Sequence, residues 1–208
     1  MGNSVAGGLG GLTGMRCRGR RKYLTSSERQ RLEEGAGDLK PRDSLLILLL
    51  LWTGARISEI LDLRASSIDL AEGLVALNTL KRRQVHVREL PLPPHVLDRL
   101  ECIFSLSRRQ MDPDLLDARL FGISRSAAWR IVKALCLRLQ ISGPAASPKG
   151  IRHSFGVSSL QSGVPITLVQ RWLGHARLTT TAIYTSVTGP EERAFAQKFW
   201  TFAVAPPE

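Results

Sequence analysis

The chain has 208 residues, which is enough for one good-sized hydrophobic core and at most two small domains. Hydrophobic residues make up 43% and charged residues 23%, as is ordinary for a soluble globular protein. The 29 Lys and Arg residues outnumber the 18 Asp and Glu residues, so the net charge is +11. Such a basic chain is expected to bind a polyanion, either nucleic acid or an anionic membrane surface, unless the charge only solubilises the surface.

Cysteine spacing and apolar runs exclude several classes of protein. Cys17, Cys102 and Cys136 are widely spaced, which argues against a disulfide framework and against a zinc site. The longest apolar run, residues 45–52, is far shorter than the roughly 20 residues that a membrane span needs. We therefore expect a cytoplasmic protein of a reducing compartment, with no membrane partner.

Residues 1–24 are predicted to form a flexible arm that is Gly-rich at first and basic at its end. Five basic residues without a neighbouring acid are candidate contacts to a polyanion: Arg16, Arg18, Arg20, Arg21 and Lys22. A net charge of +6 remains for the rest of the chain, so the folded body is itself basic.

Two helices with clear end signals are predicted after the arm. Thr25 followed by Glu28 is a capping-box pattern, so a helix is expected from there to Gly35. Pro41 begins a second helix, which contains the apolar run and ends at Gly54. A helix that is apolar on all sides belongs in the middle of a core. A third, short helix follows it.

The middle of the chain has the period-2 pattern of two or three short strands in residues 74–92. The apolar residues that alternate there with polar ones are Val75, Leu77, Val85, Val87, Leu90 and Leu92. A turn is predicted at Lys81, Arg82 and Arg83, between the strands.

The second half of the chain is predicted to be helical. A helical pattern extends to Ser107, a loop covers residues 111–120, and a helix runs from its cap at Ser124 to Gln140. A Gly- and Pro-rich linker at 142–148 precedes helices at 150–163, 165–173 and 179–184, and a final amphipathic helix covers 191–202. The predicted fold class is mainly α with a small antiparallel β-sheet.

Motifs for nucleotide or metal binding are missing from the sequence. It has no phosphate-cradling glycine loop and no His, Cys and carboxylate cluster at metal-ligand spacing. We therefore expect no cofactor and no metal. A basic protein that acts on a phosphodiester without them needs fixed cations and hydrogen-bond donors around the phosphate oxygens. Arginine suits this role because its planar fork holds two oxygens and stays charged.

The first candidate segment for such chemistry is TGARISEI, residues 53–60. Arg56 follows a helix break, and Glu59 lies three residues further on the same helical face, where its carboxylate could orient the guanidinium. For this segment alone, an ordinary ion pair on the protein surface is the alternative.

The second candidate segment has three parts: KGIRHSFG at 149–156, LGH at 173–175 and TTTAIY at 179–184. Together with residues 53–60, these parts resemble the signature of the tyrosine recombinase catalytic domain, found in phage integrases, chromosome-dimer resolvases and fimbrial-switch recombinases. That signature has an Arg in a TGxRxxE context, a hairpin Lys, an HxxR box, an LGH box and a Tyr nine residues past the last His. The resemblance extends over residues 22–187.

The resemblance implies a role for each residue of the signature. Arg56 and Arg152 correspond to the pair that grips the scissile phosphate, and His175 to a third donor to the same phosphate. Tyr184 corresponds to the nucleophile, and Lys81 to the general acid that protonates the leaving 5′-hydroxyl.

Four residues next to or within the signature motifs are assigned supporting roles. Arg82 and Arg83 adjoin Lys81, and a shift of one residue would exchange them, but arginine is a poor acid because its pKa exceeds 12. Both arginines are candidate DNA contacts. Glu59 and His153 are supporting residues, and His153 is expected to be structural rather than catalytic.

The chain departs from the family pattern at two points. Lys149 occupies the position that is usually His in the HxxR box, where it could still donate a hydrogen bond to a phosphate oxygen. Most relatives also carry an N-terminal helical domain that clamps DNA, for which residues 1–24 leave no room. Fimbrial-type recombinases resemble this layout, and a truncated gene remnant would look the same.

The resemblance implies a DNA strand-exchange enzyme that works as a tetramer on double-stranded DNA at the nucleoid, with accessory DNA-bending proteins as further partners. Residues 25–188 would form the catalytic domain, and residues 189–208 a tail helix that docks in trans on a neighbouring protomer. Two alternatives stay open: a type IB topoisomerase, which reseals the same strand, and a catalytically impaired relative that only binds DNA.

Overall fold

The computed structural model of the protein describes residues 21–81 and 84–175. Several predicted features lie outside these residues: Arg16, Arg18 and Arg20 of the arm, Arg82 and Arg83 of the turn, the helix 179–184 with Tyr184, and the tail 189–208.

Helices form most of the described structure. The first six are α1 (Ser26–Ala36), α2 (Pro41–Thr53), α3 (Ile57–Leu61), α4 (Pro94–Phe104), α5 (Leu106–Met111) and α6 (Pro113–Leu116). The last three are α7 (Arg125–Arg138), α8 (Pro148–Gln161) and α9 (Ile166–Leu173). A single 3-10 turn, Ala65–Ser67, leads into the sheet.

The sheet has three antiparallel strands in the order β1 (Ile68–Asp69), β2 (Leu74–Lys81) and β3 (Gln84–Pro91). Strands β2 and β3 pair along their whole length, from Leu74 with Pro91 to Lys81 with Gln84. The predicted fold class is therefore confirmed. Of the predicted turn, Lys81 is the last residue of β2, and Arg82 and Arg83 lie outside the described residues. The two-residue strand β1 lies outside the predicted segment 74–92.

Helix α2 forms the centre of the core, as its apolar run predicts. Residues 45–51 are all buried, and the helix packs against α1, α4 and α8. Pro41 stands in its first turn, and Gly54 ends it in the left-handed conformation with φ of 59°. Because α2 is fixed on several sides, the chain that leaves its C-terminal end is held firmly against its neighbours.

Capping residues fix the helix starts that the sequence predicts. Thr25 and Glu28 form the predicted capping box: the Thr25 hydroxyl accepts from the Glu28 N–H at 3.2 Å, and the Glu28 carboxylate accepts from the Thr25 N–H at 2.9 Å. Ser124 caps α7 by accepting from the N–H of Ala127. Local side-chain to backbone bonds of this kind are readable from sequence because both partners lie within one turn.

The predicted loop at 111–120 is wrong in its first half. Helix α6 occupies Pro113–Leu116, because Asp112 accepts a hydrogen bond from the Asp114 N–H and Pro113 stands at the first helical position. The continuous helical pattern up to Ser107 is also interrupted, since Ser105 has a positive φ of 51° between α4 and α5.

The last residues of the predicted arm pack onto the helical body. Leu24 is buried, and its backbone N–H donates to the hydroxyl of Ser154 in α8 at 2.6 Å. Arg21 makes an ion pair with Glu28 at 2.5 Å. Packing therefore begins before the predicted boundary at Thr25, and it ties the end of the arm to the first half of α8.

Candidate active site

The site is built where α2, α8 and α9 meet, and Gly54 makes that meeting possible. Its left-handed backbone turns the chain out of α2, and a Cβ at this position would lie 2.4 Å from the Cδ1 of Phe155. Such a contact is closer than side chains tolerate, so only glycine lets α8 approach α2 here. The close approach brings the Gly54 carbonyl to the guanidinium of Arg152.

Arg152 is buried and joins two helix ends. Its Nη1 donates to the carbonyl of Gly54 at 2.7 Å, and its Nη2 donates to the carbonyl of Leu173 at the end of α9. The negative end of each helix dipole therefore faces this guanidinium. These bonds fix both the position and the plane of the Arg152 side chain.

Arg56 and Glu59 pair as the sequence predicts, but not as a surface ion pair. Arg56 Nη1 lies 2.8 Å from Glu59 Oε1, and the Arg56 backbone N–H donates to Glu59 Oε2 at 2.7 Å. The Glu59 side chain is only 5% exposed, whereas that of Arg56 is 47% exposed. The buried carboxylate therefore orients a cation that still reaches solvent, and the alternative of a surface pair is wrong for Glu59.

Arg88, on β3, is a site residue that the sequence analysis missed. It is buried, and its Nη2 donates to Glu59 Oε2 at 2.6 Å. Its Nη1 donates to the Thr79 hydroxyl on β2, and its Nε donates to the carbonyl of Trp172 at 2.7 Å. One side chain thus contacts the sheet, α3 and the end of α9.

A break in the strand pattern is the signal that could have revealed Arg88. The sequence pattern places Val87 on the inward face of β3, and the next residue, Arg88, would then face solvent. The structure has the opposite arrangement, since Val87 is 61% exposed and Arg88 is 7% exposed. The next buried residues are Leu90 on β3 and Leu92 just after its end, which are two and four residues from Arg88. The odd spacing from Val87 to Leu90 therefore marks Arg88 as the residue in phase with the core.

The charges of the site act strongly on two titratable groups. Burial raises the pKa of Glu59, but the hydrogen bonds and charge of Arg88, with the donors of Arg56 and Thr79, bring that pKa down to about 2. Burial and the nearby charges of Arg152 and Arg56 lower the pKa of His175 to about 4. At neutral pH Glu59 is therefore a carboxylate and His175 is a neutral imidazole.

The end of α9 holds His175 beside this cluster. Gly174 ends the helix with φ of 63°, and the His175 backbone N–H donates to the Gln170 carbonyl at 3.1 Å. The Gln170 side-chain amide donates in return to the His175 carbonyl at 3.1 Å. A cavity of about 260 Å³ lies next to this residue, with Thr79, His86, Arg88 and Arg171 among its lining residues.

Lys149 and His153 lie at the start of α8. Lys149 is exposed in the first turn, where Ser147 caps the helix. Burial lowers the pKa of His153, and the charges of Lys149, Arg152 and Lys22 lower it further. The charge of Lys22, at the end of the arm, therefore acts on the same imidazole as the charge of Lys149.

The structure brings together Arg56, Glu59, Arg152, His153 and His175, which come from three separate segments of the sequence. Lys81 ends β2, and its side chain is outside the described structure, as are Tyr184 and the candidate DNA contacts of the turn. Their roles stay predictions.

Within 21–81 and 84–175, no group of three or more His, Cys, Asp or Glu residues is arranged to hold a metal ion. In that part of the chain no helix is long and apolar enough to cross a membrane.

Known proteins are similar to this chain in both sequence and fold. Residues 22–190 match the family model described as the phage integrase family. The tyrosine recombinase XerA of Thermococcus kodakarensis is 31% identical over 180 residues, which cover 85% of this chain and 62% of that protein. The chain thus spans about three fifths of the length of this curated relative.

Two solved structures extend the comparison. The crystal structure of XerA recombinase has a TM-score of 0.65 and 26% sequence identity, and the match covers 89% of this chain and 66% of that one. The catalytic domain of bacteriophage HP1 integrase has a TM-score of 0.60 and 21% identity, over 89% of this chain and 98% of that one. The second likeness shows a shared fold across almost the whole of an isolated catalytic domain.

Proposed function

This chain belongs to the phage integrase family, and from that premise we propose that it is a tyrosine-type site-specific recombinase that cleaves and rejoins double-stranded DNA. The observation that carries the proposal is the convergence of Arg56, Arg152 and His175 from separate elements of the fold. The charges of both arginines act on the imidazole of His175. Fixed cations of this kind suit the oxygens of a phosphodiester in its transition state.

The arginines and His175 would divide the work of binding the scissile phosphate. Arg56 presents a partly exposed guanidinium, which the buried carboxylate of Glu59 orients through an ion pair. Arg152 is held by the carbonyls of Gly54 and Leu173, so its guanidinium keeps one orientation before and during the reaction. Neutral His175 can donate one ring N–H to an oxygen of the same phosphate. Preorganised donors stabilise the developing charge without moving.

In the proposed reaction the Tyr184 oxygen attacks the phosphorus and loses its proton to water. A bond forms between phosphorus and the tyrosine oxygen, while the bond from phosphorus to the 5′ oxygen breaks. Lys81 gives its proton to that leaving oxygen, which becomes a 5′-hydroxyl. The 3′-phosphotyrosine conserves the energy of the bond, so a 5′-hydroxyl of a partner strand can attack it without a nucleotide cofactor.

Tyr184→Phe tests the nucleophile directly. It removes one oxygen and keeps the ring, so we expect unchanged folding and DNA affinity but no covalent protein–DNA adduct. The substrate is a set of nicked duplexes tiled across the DNA that flanks the chain's own gene, and the adduct is detected on a denaturing gel. Tyr23→Phe, at the partly buried end of the arm, is the matched control and should form the adduct normally.

Two results would contradict the proposal: formation of an adduct by Tyr184→Phe, or no adduct with the wild type on any of these duplexes. The second result would favour the impaired relative that only binds DNA. Adduct formation together with plasmid relaxation, but without recombinant products, would favour a type IB topoisomerase.

The general acid is tested with a leaving group that needs no proton. We expect Lys81→Ala to cleave ordinary DNA slowly but to recover on a substrate whose 5′-bridging oxygen is replaced by sulfur, since a thiolate leaves unprotonated. Arg82→Ala and Arg83→Ala serve as matched variants in the same turn. Recovery of Arg82→Ala or Arg83→Ala instead of Lys81→Ala would move the acid to that position.

Assembly into a tetramer on DNA is the second part of the proposal. Four aromatic residues lie within one short amphipathic segment of the tail: Phe195, Phe199, Trp200 and Phe202. A segment this apolar favours a protein surface, and we propose that the surface belongs to a neighbouring protomer. Deleting residues 190–208 should then abolish cooperative assembly on DNA while the domain stays folded. Full assembly by the deletion variant on a gel-shift titration would show that the tail packs on its own domain.

A further inference from the structure

We propose that Arg88 is a positioning residue of the reaction, which holds Glu59, Thr79 and the C-terminal end of α9 in one arrangement and acts through them on Arg56 and His175. The inference rests on the proposed recombinase function. It assigns Arg88 no contact with DNA, because its Nε, Nη1 and Nη2 atoms all donate hydrogen bonds to protein groups.

The contacts of Arg88 link three separate parts of the fold. Nη2 donates to Glu59 Oε2 at 2.6 Å, and Nη1 donates to Glu59 Oε1 at 3.3 Å. The same Nη1 donates to the hydroxyl of Thr79, which itself donates to Glu59 Oε1 at 2.8 Å. Glu59 is therefore held from the sheet side by Arg88 and Thr79, and it holds Arg56 on its other side.

The bond to α9 gives Arg88 its second path to the site. Its Nε donates to the Trp172 carbonyl, and Arg152 donates to the Leu173 carbonyl next to it. Two buried arginines thus satisfy adjacent carbonyls at the end of one helix, where four carbonyls lack partners within the helix. His175 follows two residues after Leu173, so the position of this helix end sets the position of the imidazole.

Arginine is the residue that can make all these bonds at once. Its planar fork has five N–H donors in fixed directions, whereas the ammonium of lysine has three donors on one atom. Gly174 also leaves room for it, since a Cβ there would lie 3.3 Å from the Arg88 Cδ. Loss of Arg88 would leave the buried Glu59 carboxylate with Arg56 as its one described cationic partner.

Four variants and two controls test this role. Arg88→Met removes the donors and keeps the length of the chain, Arg88→Lys keeps the charge, and Thr79→Val removes only the bridging hydroxyl. Glu59→Gln supplies the background for a double-mutant cycle. Val96→Ala, which removes buried methyl groups from α4, controls for lost stability, and Arg138→Met controls for one lost positive charge.

The main measurement is the rate of adduct formation at saturating concentrations of the nicked duplexes, alongside the dissociation constant for the same DNA. We expect Arg88→Met to cleave DNA at least about tenfold more slowly than Val96→Ala. The two variants are compared at a temperature at which both are folded. The DNA affinity of Arg88→Met should match that of Arg138→Met, because Arg88 does not touch the duplex. Arg88→Lys and Thr79→Val should show smaller losses in the same direction, and they carry the test if Arg88→Met fails to fold.

The double-mutant cycle distinguishes positioning from a general structural role. If Arg88 acts through Glu59, the substitution Arg88→Met should lower the cleavage rate far less in the Glu59→Gln background than in the wild type. Additive losses would overturn the proposal, as would a cleavage rate for the Arg88 variants equal to that of Val96→Ala. Absence of any adduct with the wild type is a different outcome, since it would reject the recombinase function itself.

Discussion

The three arginines of the site differ in how much of each side chain reaches solvent. The side chain of Arg56 is 47% exposed, whereas Arg88 and Arg152 are almost fully buried. A buried guanidinium is stable only when protein groups accept its hydrogen bonds, and both buried arginines donate to helix-end carbonyls. Substitution of Arg88 should therefore change the shape of the site, while substitution of Arg56 should weaken phosphate binding directly.

Lys149 should tolerate replacement by His but not by Ala. Its exposed position in the first turn of α8 suits a hydrogen bond to a phosphate oxygen, which His can also donate. Ala leaves that oxygen without the donor, a loss of about 1–3 kcal/mol, which corresponds to about tenfold to a hundredfold in cleavage rate. Lys40→Ala removes an equal charge at the start of α2 and is the control. Cleavage by Lys149→Ala at the wild-type rate would show that Lys149 does not contribute to the reaction.

His175 should make the protein less stable as the pH falls below its ordinary titration range. Burial and the charges of Arg152 and Arg56 lower the pKa of His175 to about 4, so between about pH 6.5 and 4 the unfolded chain binds a proton that the folded chain does not. The free energy of unfolding therefore decreases as the pH falls through this window. His175→Gln lacks this proton uptake, and its melting temperature should decline less steeply from pH 6.5 to 4.5.

Glu59 contributes in the same direction at lower pH. The pKa of its carboxyl is about 2 in the folded protein, so the stability it adds is complete above its ordinary pKa and is lost as the pH falls toward 2. Thermal unfolding at constant ionic strength separates the two windows. Parallel curves for the wild type and His175→Gln between pH 6.5 and 4.5 would contradict the prediction for His175.

Gly54 has the largest predicted effect on an element, because it ends α2 and admits α8. Gly54→Ala adds a Cβ 2.4 Å from Phe155 at a φ of 59°, so we expect a loss of more than about 1 kcal/mol in unfolding free energy and slower cleavage. Gly163→Ala is a matched control, since its φ is 84° but nothing lies within 4 Å of the added Cβ. Equal losses for the two variants would mean that the contact with Phe155 is relieved without consequence.

Elements with local end signals could be predicted from the sequence. The ends of α2 follow from Pro41 and Gly54, and the start of α7 follows from Ser124, because each signal acts within one helical turn. Helix α6 was missed because four residues between Asp112 and Asp117 carry too little periodicity to be distinguished from a loop. Short elements depend on their neighbours, which a local pattern does not contain.

The pairing of Arg56 with Glu59 could be predicted from the sequence, but the long-range bonds that hold the site could not. Arg56 and Glu59 lie one turn apart, so their pairing follows from helix geometry. Arg88 is 29 residues from Glu59 and 84 from Trp172, and no local rule links such positions. The phase of β3 alone could have placed Arg88 inside, and Val87 concealed that phase because an apolar residue stands there in an exposed position.

At the scale of the whole molecule, the end of the basic arm packs against α8. Lys149 is exposed in its first turn, and Lys22 is close enough to affect the pKa of His153 alongside burial and Lys149. The bond from Leu24 to Ser154 fixes the end of the arm at this helix.

The arm should account for a measurable part of the salt dependence of DNA binding. Each phosphate neutralised by a cation lowers the slope of log K against log salt by about 0.9. Replacing Arg16, Arg18 and Arg20 by Ala should therefore make the slope less steep by up to about 3, while Arg21 is kept because it pairs with Glu28. Arg138→Ala removes a cation that contacts the Gly35 carbonyl at the other end of α1, and it should leave the slope almost unchanged. Fluorescence anisotropy with one duplex over a salt series measures both slopes, and a slope equal to that of the wild type for the triple variant would mean that the arm does not contact DNA.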